Sequence, residues 1–249
     1  MEGLAAAPPA TALEQAKLEA LYQFAYGLSH EINNPLANIA TRAQTLLVDE
    51  RDPERRRKLA VINQQAFRAH EMIADLMLFA RPPAPQFQPV DLVDLARRVV
   101  AEWQPAAREQ GTTLSLAADA GPLSCLADPA QLAVALRALI QNSLEALQSG
   151  GKIEVQCSKF NVQGFPSNQT LNLEPRTLNF VLSVSDTGPG ISAAAREHIF
   201  DPFFCGREAG RGLGLGLSKA WRIVQLHGGD IQVESPPSGG AKFTIALPG

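Results

Sequence analysis

Residues 181–191 read Val-Leu-Ser-Val-Ser-Asp-Thr-Gly-Pro-Gly-Ile, an apolar strand followed by a glycine-containing turn. The carboxylate of Asp186 stands at the end of that strand, where it can accept a hydrogen bond from an exocyclic amine such as that of adenine. Gly188 and Gly190 carry no side chain, so the backbone up to Ile191 can approach a flat ring closely. The turn is therefore a candidate site for a flat, amine-bearing ligand, and a tight turn without a ligand is the alternative.

A glycine-rich run, Gly-Arg-Gly-Leu-Gly-Leu-Gly-Leu-Ser at residues 210–218, leads into a helix predicted over residues 215–226. Glycine N–H groups are unhindered and a helix N-terminus favours anions, so the run predicts phosphate binding. Arg207, Arg211 and Lys219 are nearby cations. The run lacks the Gly-Lys-Ser/Thr of a Walker A motif, and no leading strand completes a dinucleotide fingerprint. A flexible loop whose glycines alternate by chance is the alternative.

A polar pair lies on a helix predicted over residues 129–148. Asn142 and Glu145 are three residues apart, so they are neighbours on one face of that helix. An amide oxygen is a suitable ligand for Mg²⁺, which usually keeps several waters and bridges phosphates. An ordinary polar helix face is the alternative.

An aromatic run separates the two glycine motifs: residues 199–204 read Ile-Phe-Asp-Pro-Phe-Phe. Its aromatic side chains are either a hinge anchor or part of the core. The loop that follows, residues 205–211, is short, glycine-containing and cationic. Such a loop suits a lid over a nucleotide.

The N-terminal third of the chain has an all-helical pattern. Apolar residues recur in steps of three, four and seven between residues 13 and 49, and helical spacing returns between residues 54 and 80. Two long amphipathic helices joined by a short turn form an antiparallel hairpin, and two such hairpins bury their stripes by pairing as a four-helix bundle. The sequence therefore predicts a homodimer through the hairpin. The stripe comprises Leu18, Leu21, Ala25, Leu28, Ile32, Ile39 and Leu46 in the first helix, and Leu59, Ile62, Ala66, Ile73, Leu76 and either Met77 or Ala80 in the second.

The first of these helices contains His30-Glu31-Ile32-Asn33-Asn34-Pro35-Leu36. In the heptad register of the stripe, His30 falls at the outermost position, which predicts a solvent-exposed imidazole. Such an imidazole is a nucleophile near neutral pH, and Glu31 could accept a proton from one ring nitrogen. Asn34 lies one turn on, on the same face, and Pro35 is expected to loosen the helix because it cannot donate a backbone hydrogen bond. An exposed histidine beside an incidental proline is the alternative.

Composition narrows the class of protein. The 249 residues carry a formal net charge of -3, from 22 Lys and Arg against 25 Asp and Glu, which gives no support to a non-specific nucleic-acid binder. Three cysteines are too few for a disulfide framework or a zinc site, and they favour a reducing, cytoplasmic location, either of a cytoplasmic protein or of the cytoplasmic part of a longer receptor. No apolar run approaches the length of a membrane span, and the N-terminus lacks the pattern of a secretory signal.

The chain is expected to divide into three parts. Residues 1–12 are rich in Ala and Pro and are predicted to be loose. Residues 13–82 form the hairpin, which ends at a stiff proline-rich linker. Residues 83–249 are predicted to form an α+β sandwich, because strand patterns alternate with helix patterns along this part of the chain. Beyond the helices already named, a helix is predicted over 91–108, strands at 114–116, 153–160, 178–184, 230–234 and 242–246, and a hairpin loop at 161–177.

In this order and spacing, the motifs resemble those of the sensor histidine kinases of two-component systems. The resembling motifs are His30-Glu31-x-x-Asn34-Pro35 (the H box), Asn142 (the N box), Asp186-x-Gly188-x-Gly190 (the G1 box), Phe200–Phe204 (the F box) and Gly210–Gly216 (the G2 box). The resemblance implies an all-α hairpin that dimerises as a four-helix bundle, followed by a Bergerat-type ATP-binding sandwich with a mixed sheet.

The resemblance also implies an activity. His30 would take the γ-phosphoryl group of Mg-ATP with Glu31 as base, and would pass it to an aspartate in the receiver domain of a response regulator. Asn34 stands where the family places a residue that orients water for dephosphorylation of that partner, so phosphatase activity is a secondary expectation. Asp186 would bind the adenine amine, and Asn142 would ligate Mg²⁺. The implied ATP-binding residues are Asn142, Glu145, Asp186, Gly188, Gly190, Ile191, Phe204, Arg207, Gly212, Leu213, Gly214, Leu215 and Gly216.

Some positions depart from the family pattern. Ala138 stands where many members carry a first asparagine and where related ATP hydrolases carry a water-activating glutamate, which counts against a plain ATPase of the GHKL type. Cys205 and Gly206 replace commoner threonines, and Arg207 replaces a commoner lysine with a different donor geometry. Cys205 is either a redox-sensitive thiol or a small structural one. A degenerate kinase that serves as a dimeric scaffold is the non-enzymatic alternative.

Overall fold

The computed structural model divides the chain into two compact units, whose main boundary along the chain lies between Pro83 and Ala84. The unit before this boundary is helical, and the unit after it combines helices and strands. Among the described helices, none is both long and apolar enough to cross a membrane. The described residues are 12–118, 121, 123–161, 178–205, 214–237 and 239–249. The segment predicted to be loose, 1–12, lies outside them except for Ala12, which begins a helix.

The helical unit is a hairpin of α1 (Ala12–Asp49) and α2 (Pro53–Ala80), which pack against each other. Asp52 caps α2, since its carboxylate accepts a hydrogen bond from the N–H three residues on at 2.8 Å. Pro53 occupies the first helical position, where no N–H is needed. The guanidinium of Arg56 donates to two carbonyls at the end of α1, at 3.1 and 3.0 Å. The structure therefore confirms the predicted hairpin to within one residue at each helix start.

The apolar stripe of the hairpin is only partly buried in the single chain. Ala25 of α1 and Ala66 of α2 are buried, as predicted. In contrast, Ile39, Leu46 and Ile62 are between 46% and 59% exposed. The side chains of Leu18, Leu28 and His30 lie outside the described part of the structure.

Helix α1 continues through Pro35. The expected loosening is therefore limited to the single backbone hydrogen bond that a proline cannot donate, and the residues on both sides keep helical backbone. The physical reason is that α1 is 38 residues long and packs along α2, so one missing bond does not interrupt it.

Along the chain, the second unit contains β1 (Gln88–Asp91), α3 (Leu92–Glu109), β2 (Thr113–Ala118), β3 (Ser124–Ala127), α4 (Pro129–Leu147), β4 (Lys152–Asn161), β5 (Leu178–Asp186), α5 (Ala193–His198), α6 (Gly216–Leu226), β6 (Asp230–Glu234) and β7 (Ala241–Leu247). Five strands form a sheet in the order β2-β4-β5-β7-β6. Strand β2 pairs with β4 in parallel, and the other three pairings are antiparallel. This mixed sheet confirms the predicted fold class. The predicted hairpin loop between β4 and β5 lies almost entirely outside the described residues, although the two strands pair antiparallel on either side of it.

The helices α3, α4 and α6 pack against this sheet and against one another. Leu136 and Leu139 of α4, Leu182 of β5, and Phe243 and Ile245 of β7 are fully buried in the resulting core. Burial of each such side chain stabilises the fold by about 1.5–3 kcal/mol. This packing holds α4 beside the end of β5, where the Asp186 turn begins.

Two features were not predicted. Strands β1 and β3 pair antiparallel as a separate two-stranded sheet, with Gln88 opposite Ala127, and α5 is a helix of six residues capped by Ser192. Strand β1 contains Pro89, which cannot donate to a ladder and so weakens the strand signal. All three elements are too short for a periodic pattern to show.

Candidate functional site

The carboxylate of Asp186 is buried at the end of β5 and is held by three donors from three segments. The Ser143 hydroxyl of α4 donates to Oδ2 at 3.0 Å. The N–H groups of Gly188 and Ala241 donate to Oδ1, at 2.9 and 3.3 Å. The carboxylate therefore joins α4, the glycine turn and β7 at one point.

The glycine turn after Asp186 has no room for side chains. A Cβ at Gly188 would lie 2.9 Å from Asp186 Oδ1 and 3.5 Å from the Cβ of Ala146 on α4. At Gly190 the φ angle is +80°, and a Cβ would lie 2.7 Å from the Ser235 hydroxyl oxygen. Glycine is thus required twice in the turn, for close approach and for the left-handed backbone.

A second layer behind the turn was not found by sequence analysis. The N–H of Ile191 donates to Ser235 Oγ, and that hydroxyl donates to the Gly240 carbonyl, both at 2.8 Å. The Gly240 N–H donates to the Gly188 carbonyl at 2.7 Å. These bonds fix the turn against the β6–β7 connection. Single serines and glycines far along the chain carry no pattern that could have identified them.

Helix α4 places the predicted polar pair close to this turn in space, although the two are far apart in sequence. Asn142 and Glu145 are both half-buried, and the Gln141 amide donates to the Glu145 carboxylate at 3.0 Å. Asn142 directly precedes Ser143, which contacts Asp186. The described residues contain no cluster of three or more His, Cys, Asp and Glu that could hold a metal ion.

The start of α4 and the end of α6 are joined by a buried polar node. Asp128 caps α4, and its backbone N–H donates to Nε2 of His227 at 3.0 Å. The Nδ1 of His227 lies 2.8 Å from the Ile223 carbonyl, which requires a hydrogen on Nδ1. Burial disfavours the charged imidazole and lowers the pKa of His227, although the Ile223 carbonyl and the Asp128 charge oppose this. The geometry is therefore that of a neutral imidazole with both nitrogens bonded.

One side chain of the aromatic run packs against the core, and another is exposed. Phe200 is half-buried and meets Phe243 of the core edge-on, with ring centroids 6.5 Å apart. The rings of Phe204 and His198 are neighbours, with centroids 5.9 Å apart. Phe203 is exposed and has a φ of +66°. Phe200 thus anchors the run to the core, while the rest leads away from it.

The predicted phosphate-binding loop is described only at its end. Gly214 and Leu215 directly precede α6, and Gly216 is its first residue. Leu215 is buried. The other predicted residues, Arg207, Gly212 and Leu213, lie outside the described residues, as do Gly206 and Arg211.

On α1, Glu31 and Asn34 are exposed, one turn apart. His30 belongs to the same helix, but its side chain lies outside the described part, so its outward position stays a prediction. Sequence analysis missed a contact in this turn: Asn33 Oδ1 lies 2.9 Å from Nδ1 of His70 on α2. This bond ties the turn that carries His30 to the second helix of the hairpin.

Two family models match the chain. HisKA, the His Kinase A (phospho-acceptor) domain, matches residues 20–85. HATPase_c, described as histidine kinase-, DNA gyrase B-, and HSP90-like ATPase, matches residues 127–249. The first match contains the His30 motif, and the second contains the Asp186 turn and the glycine loop.

Individual histidine kinases are also similar in sequence to this chain. The signal transduction histidine-protein kinase AtoS of Escherichia coli (strain K12) is 32% identical over 232 residues, which cover 93% of this chain and 35% of AtoS. The sensor histidine kinase ZraS of Klebsiella oxytoca is 31% identical over 238 residues, covering 93% of this chain and 47% of ZraS. The chain thus spans less than half the length of these relatives.

Among solved structures, full-length ShkA in complex with AMPPNP has a similar fold. Its TM-score is 0.72 at 25% identity, and the match covers 90% of this chain and 45% of the ShkA chain. The structural match extends across the hairpin and the α/β unit, the same two parts that the family models match. The chain therefore belongs to the histidine kinases, and it carries their phospho-acceptor domain followed by their ATPase-like domain.

Proposed function

We propose that this chain is an ATP-dependent protein-histidine kinase that phosphorylates its own His30. The observation that carries the proposal is the buried Asp186 carboxylate in its glycine turn. A carboxylate offers about four acceptor positions, and the described protein groups use three. One position remains for an amine, and the close packing around Gly188 and Gly190 holds the turn in place beside the carboxylate. This arrangement fits the 6-amino group of adenine.

The phosphates would lie toward the start of α6. The unpaired N–H groups of a helix N-terminus favour anions, and Gly212–Gly216 with Arg207 would supply further donors. Asn142 would hold Mg²⁺ through its amide oxygen, with water and phosphate oxygens completing the shell. The bound cation would neutralise phosphate charge during transfer.

Two residues of α1 would carry out the phosphoryl transfer. A ring nitrogen of His30 would attack the γ-phosphorus, so that a P–N bond forms while the bond to the β,γ-bridging oxygen breaks and ADP leaves. Glu31, the next residue, would accept the proton from the other ring nitrogen. Its exposed position on α1 leaves it accessible for this role.

We further propose that phosphorylated His30 passes its phosphoryl group to an aspartate in the receiver domain of a response regulator. The match of residues 20–85 to the phospho-acceptor domain model supports this. Asn34 would orient water for the reverse function, dephosphorylation of that partner, because it is exposed one turn from His30. Loss of the phosphatase but not of the kinase in Asn34→Ala would support this role, and an unchanged phosphatase rate would contradict it.

The kinase would act as a homodimer formed through the hairpin. Large apolar side chains are exposed on both helices of the single chain, which a second hairpin would cover as a four-helix bundle. Sedimentation velocity at micromolar concentration tests this, since a monomer would contradict it. These exposed side chains are Phe24, Tyr26, Ile39, Leu46, Val48, Val61, Ile62 and Phe67.

Residues 13–82 would then be the dimerisation and phosphotransfer domain, and residues 83–249 the ATP-binding domain. A cytoplasmic location is proposed with them. It agrees with cysteines that form no disulfide among the described residues and with the need for ATP.

Incubation with γ-labelled ATP and Mg²⁺ tests the proposed activity. Wild type should acquire acid-labile, base-stable label; His30→Gln and Asp186→Asn should not. His70→Gln is the matched control, because the glutamine amide can still donate to Asn33 Oδ1 while the variant loses a histidine of the hairpin other than His30, so it should keep the label. Released phosphate without labelled protein would indicate a GHKL-type ATPase, and no nucleotide binding at all would indicate a scaffold.

A further inference from the structure

Among the described residues, Ser143 is the one side chain that donates to Asp186, and no part of the proposed mechanism uses it. It is fully buried on α4, and its hydroxyl donates to Asp186 Oδ2 at 3.0 Å. A buried hydroxyl that bonds a carboxylate across 43 residues of sequence is not explained by helix formation, since serine is only a moderate helix former.

The hydroxyl controls the orientation of the carboxylate. The last torsion of an aspartate is broad, so each hydrogen bond to either oxygen narrows the range of orientations that the carboxylate can take. Gly188 and Ala241 both donate to Oδ1, and Ser143 is the described group that holds Oδ2. With both oxygens held, the plane of the carboxylate is fixed and its remaining acceptor position points in one direction.

We propose that Ser143 is a positioning residue for adenine selectivity: by holding Asp186 Oδ2 it aims the free acceptor position of the carboxylate at the 6-amino group of the purine. The inference rests on the proposed ATP site. A fixed acceptor strengthens the binding of a purine with an amine at position 6 and does not strengthen the binding of one that has only hydrogen there. Ser143 should therefore affect ATP and leave 6-unsubstituted purine nucleotides nearly unaffected.

The test measures dissociation constants, by calorimetry on the full chain, for ATP and for purine riboside triphosphate, which lacks the 6-amino group. Ser143→Ala should weaken ATP binding by about 10-fold, the effect expected for one hydrogen bond to a charged group. The same variant should change purine riboside triphosphate binding by less than about 2-fold. In an Asp186→Asn background, Ser143→Ala should have no further effect, because Ser143 acts through the carboxylate.

Two further variants keep the test interpretable. Ser185→Ala removes the neighbouring serine of β5, whose hydroxyl donates to the Glu154 carbonyl at 3.4 Å, and should leave both dissociation constants unchanged. Ser143→Cys keeps the side-chain size with a weaker donor, so it should weaken ATP binding by less than Ser143→Ala. It also replaces Ser143→Ala should the latter fail to give a folded protein by circular dichroism.

The outcomes separate the inference from the proposed function. An equal loss for both nucleotides, an unchanged ATP affinity, or additive effects of Ser143→Ala and Asp186→Asn would overturn the inference while ATP binding by wild type stands. Failure of wild type to bind ATP would overturn the proposed function, and the inference with it.

Discussion

Replacement of Asp128 by alanine should destabilise the α/β unit more than loss of an ordinary helix cap. The Asp128 carboxylate accepts hydrogen bonds from the N–H groups of Ala130 and Gln131 in the first turn of α4, at 2.9 and 3.1 Å. It also accepts one from the Gln86 N–H at 2.9 Å. Gln86 belongs to the segment that enters the unit after the proline-rich linker, so one side chain holds both a helix start and the incoming chain.

The magnitude follows from these three bonds. Loss of an aspartate cap costs about 1–2 kcal/mol of stability. A further hydrogen bond to a charged group is worth about 1.5–3 kcal/mol, and the Gln86 N–H would lose its carboxylate partner. The expected loss for Asp128→Ala is therefore about 3–4 kcal/mol.

Urea unfolding followed by tryptophan fluorescence measures this loss. Both tryptophans, Trp103 and Trp221, lie in the α/β unit, so their signal reports that unit and not the hairpin. Asp91→Ala is the matched control, because Asp91 caps α3 with one bond, from the Val93 N–H at 3.0 Å, and should lose only about 1 kcal/mol.

Asp128→Asn refines the comparison. The amide oxygen can still accept hydrogen bonds from the N–H groups of α4, while the amide nitrogen cannot accept one from the Gln86 N–H. The loss of stability in Asp128→Asn should therefore fall between those of Asp128→Ala and Asp91→Ala. The reasoning is refuted when Asp128→Ala loses no more free energy of unfolding than Asp91→Ala does, since the hydrogen bond from Gln86 would then contribute nothing to stability.

Three other predictions concern separate features. The pKa of His227 is lowered by burial, so below the ordinary value of about 6.5 the unfolded chain binds a proton that the folded chain does not. The free energy of unfolding should therefore fall as pH drops from about 7 to 5, and this dependence on pH should be weaker in His227→Gln. A Cβ at Gly240, where φ is +82°, would lie 2.5 Å from the Asp186 carbonyl oxygen, so Gly240→Ala should lower stability by about 1–3 kcal/mol and weaken ATP binding. Gly27→Ala, whose new Cβ would meet no atom within 4 Å outside its own helix backbone, should be neutral or stabilising. Equal losses of stability in urea unfolding followed by far-UV circular dichroism, which reports both units, would contradict the argument. Cys205 is exposed, while burial raises the pKa of Cys125 to about 11, so a maleimide should label Cys205 in the native protein and Cys125 only after unfolding, as mass spectrometry of the peptides would show.

The parts of the fold that the sequence predicts are those with local signals. The helices of the hairpin follow from regular apolar spacing and from Pro53 at a helix start. Strand β5 and its turn follow from an apolar run that ends in Asp186 and two glycines. In each case the deciding residues lie within a few positions of one another, so a local pattern is enough.

The parts that sequence analysis missed depend on contacts between distant segments. Ser143 meets Asp186 from 43 positions away, and Ser235 meets Ile191 from 44. Strands β1 and β3 have four residues each and exist because they pair with each other. A side chain whose role depends on a partner brought near by folding leaves no periodic trace, and neither does a strand of four residues.

The position of β7 affects how the chain folds during synthesis. Although β7 comes last in sequence, it lies between β5 and β6 in the sheet. On the ribosome, β6 therefore emerges before the strand it must pair with, and the sheet closes only after residues 241–247 have left the exit tunnel. A premature stop codon shortly before residue 241 would remove an interior strand, and would leave β5 and β6 each with an additional unpaired edge for chaperones and proteases to recognise.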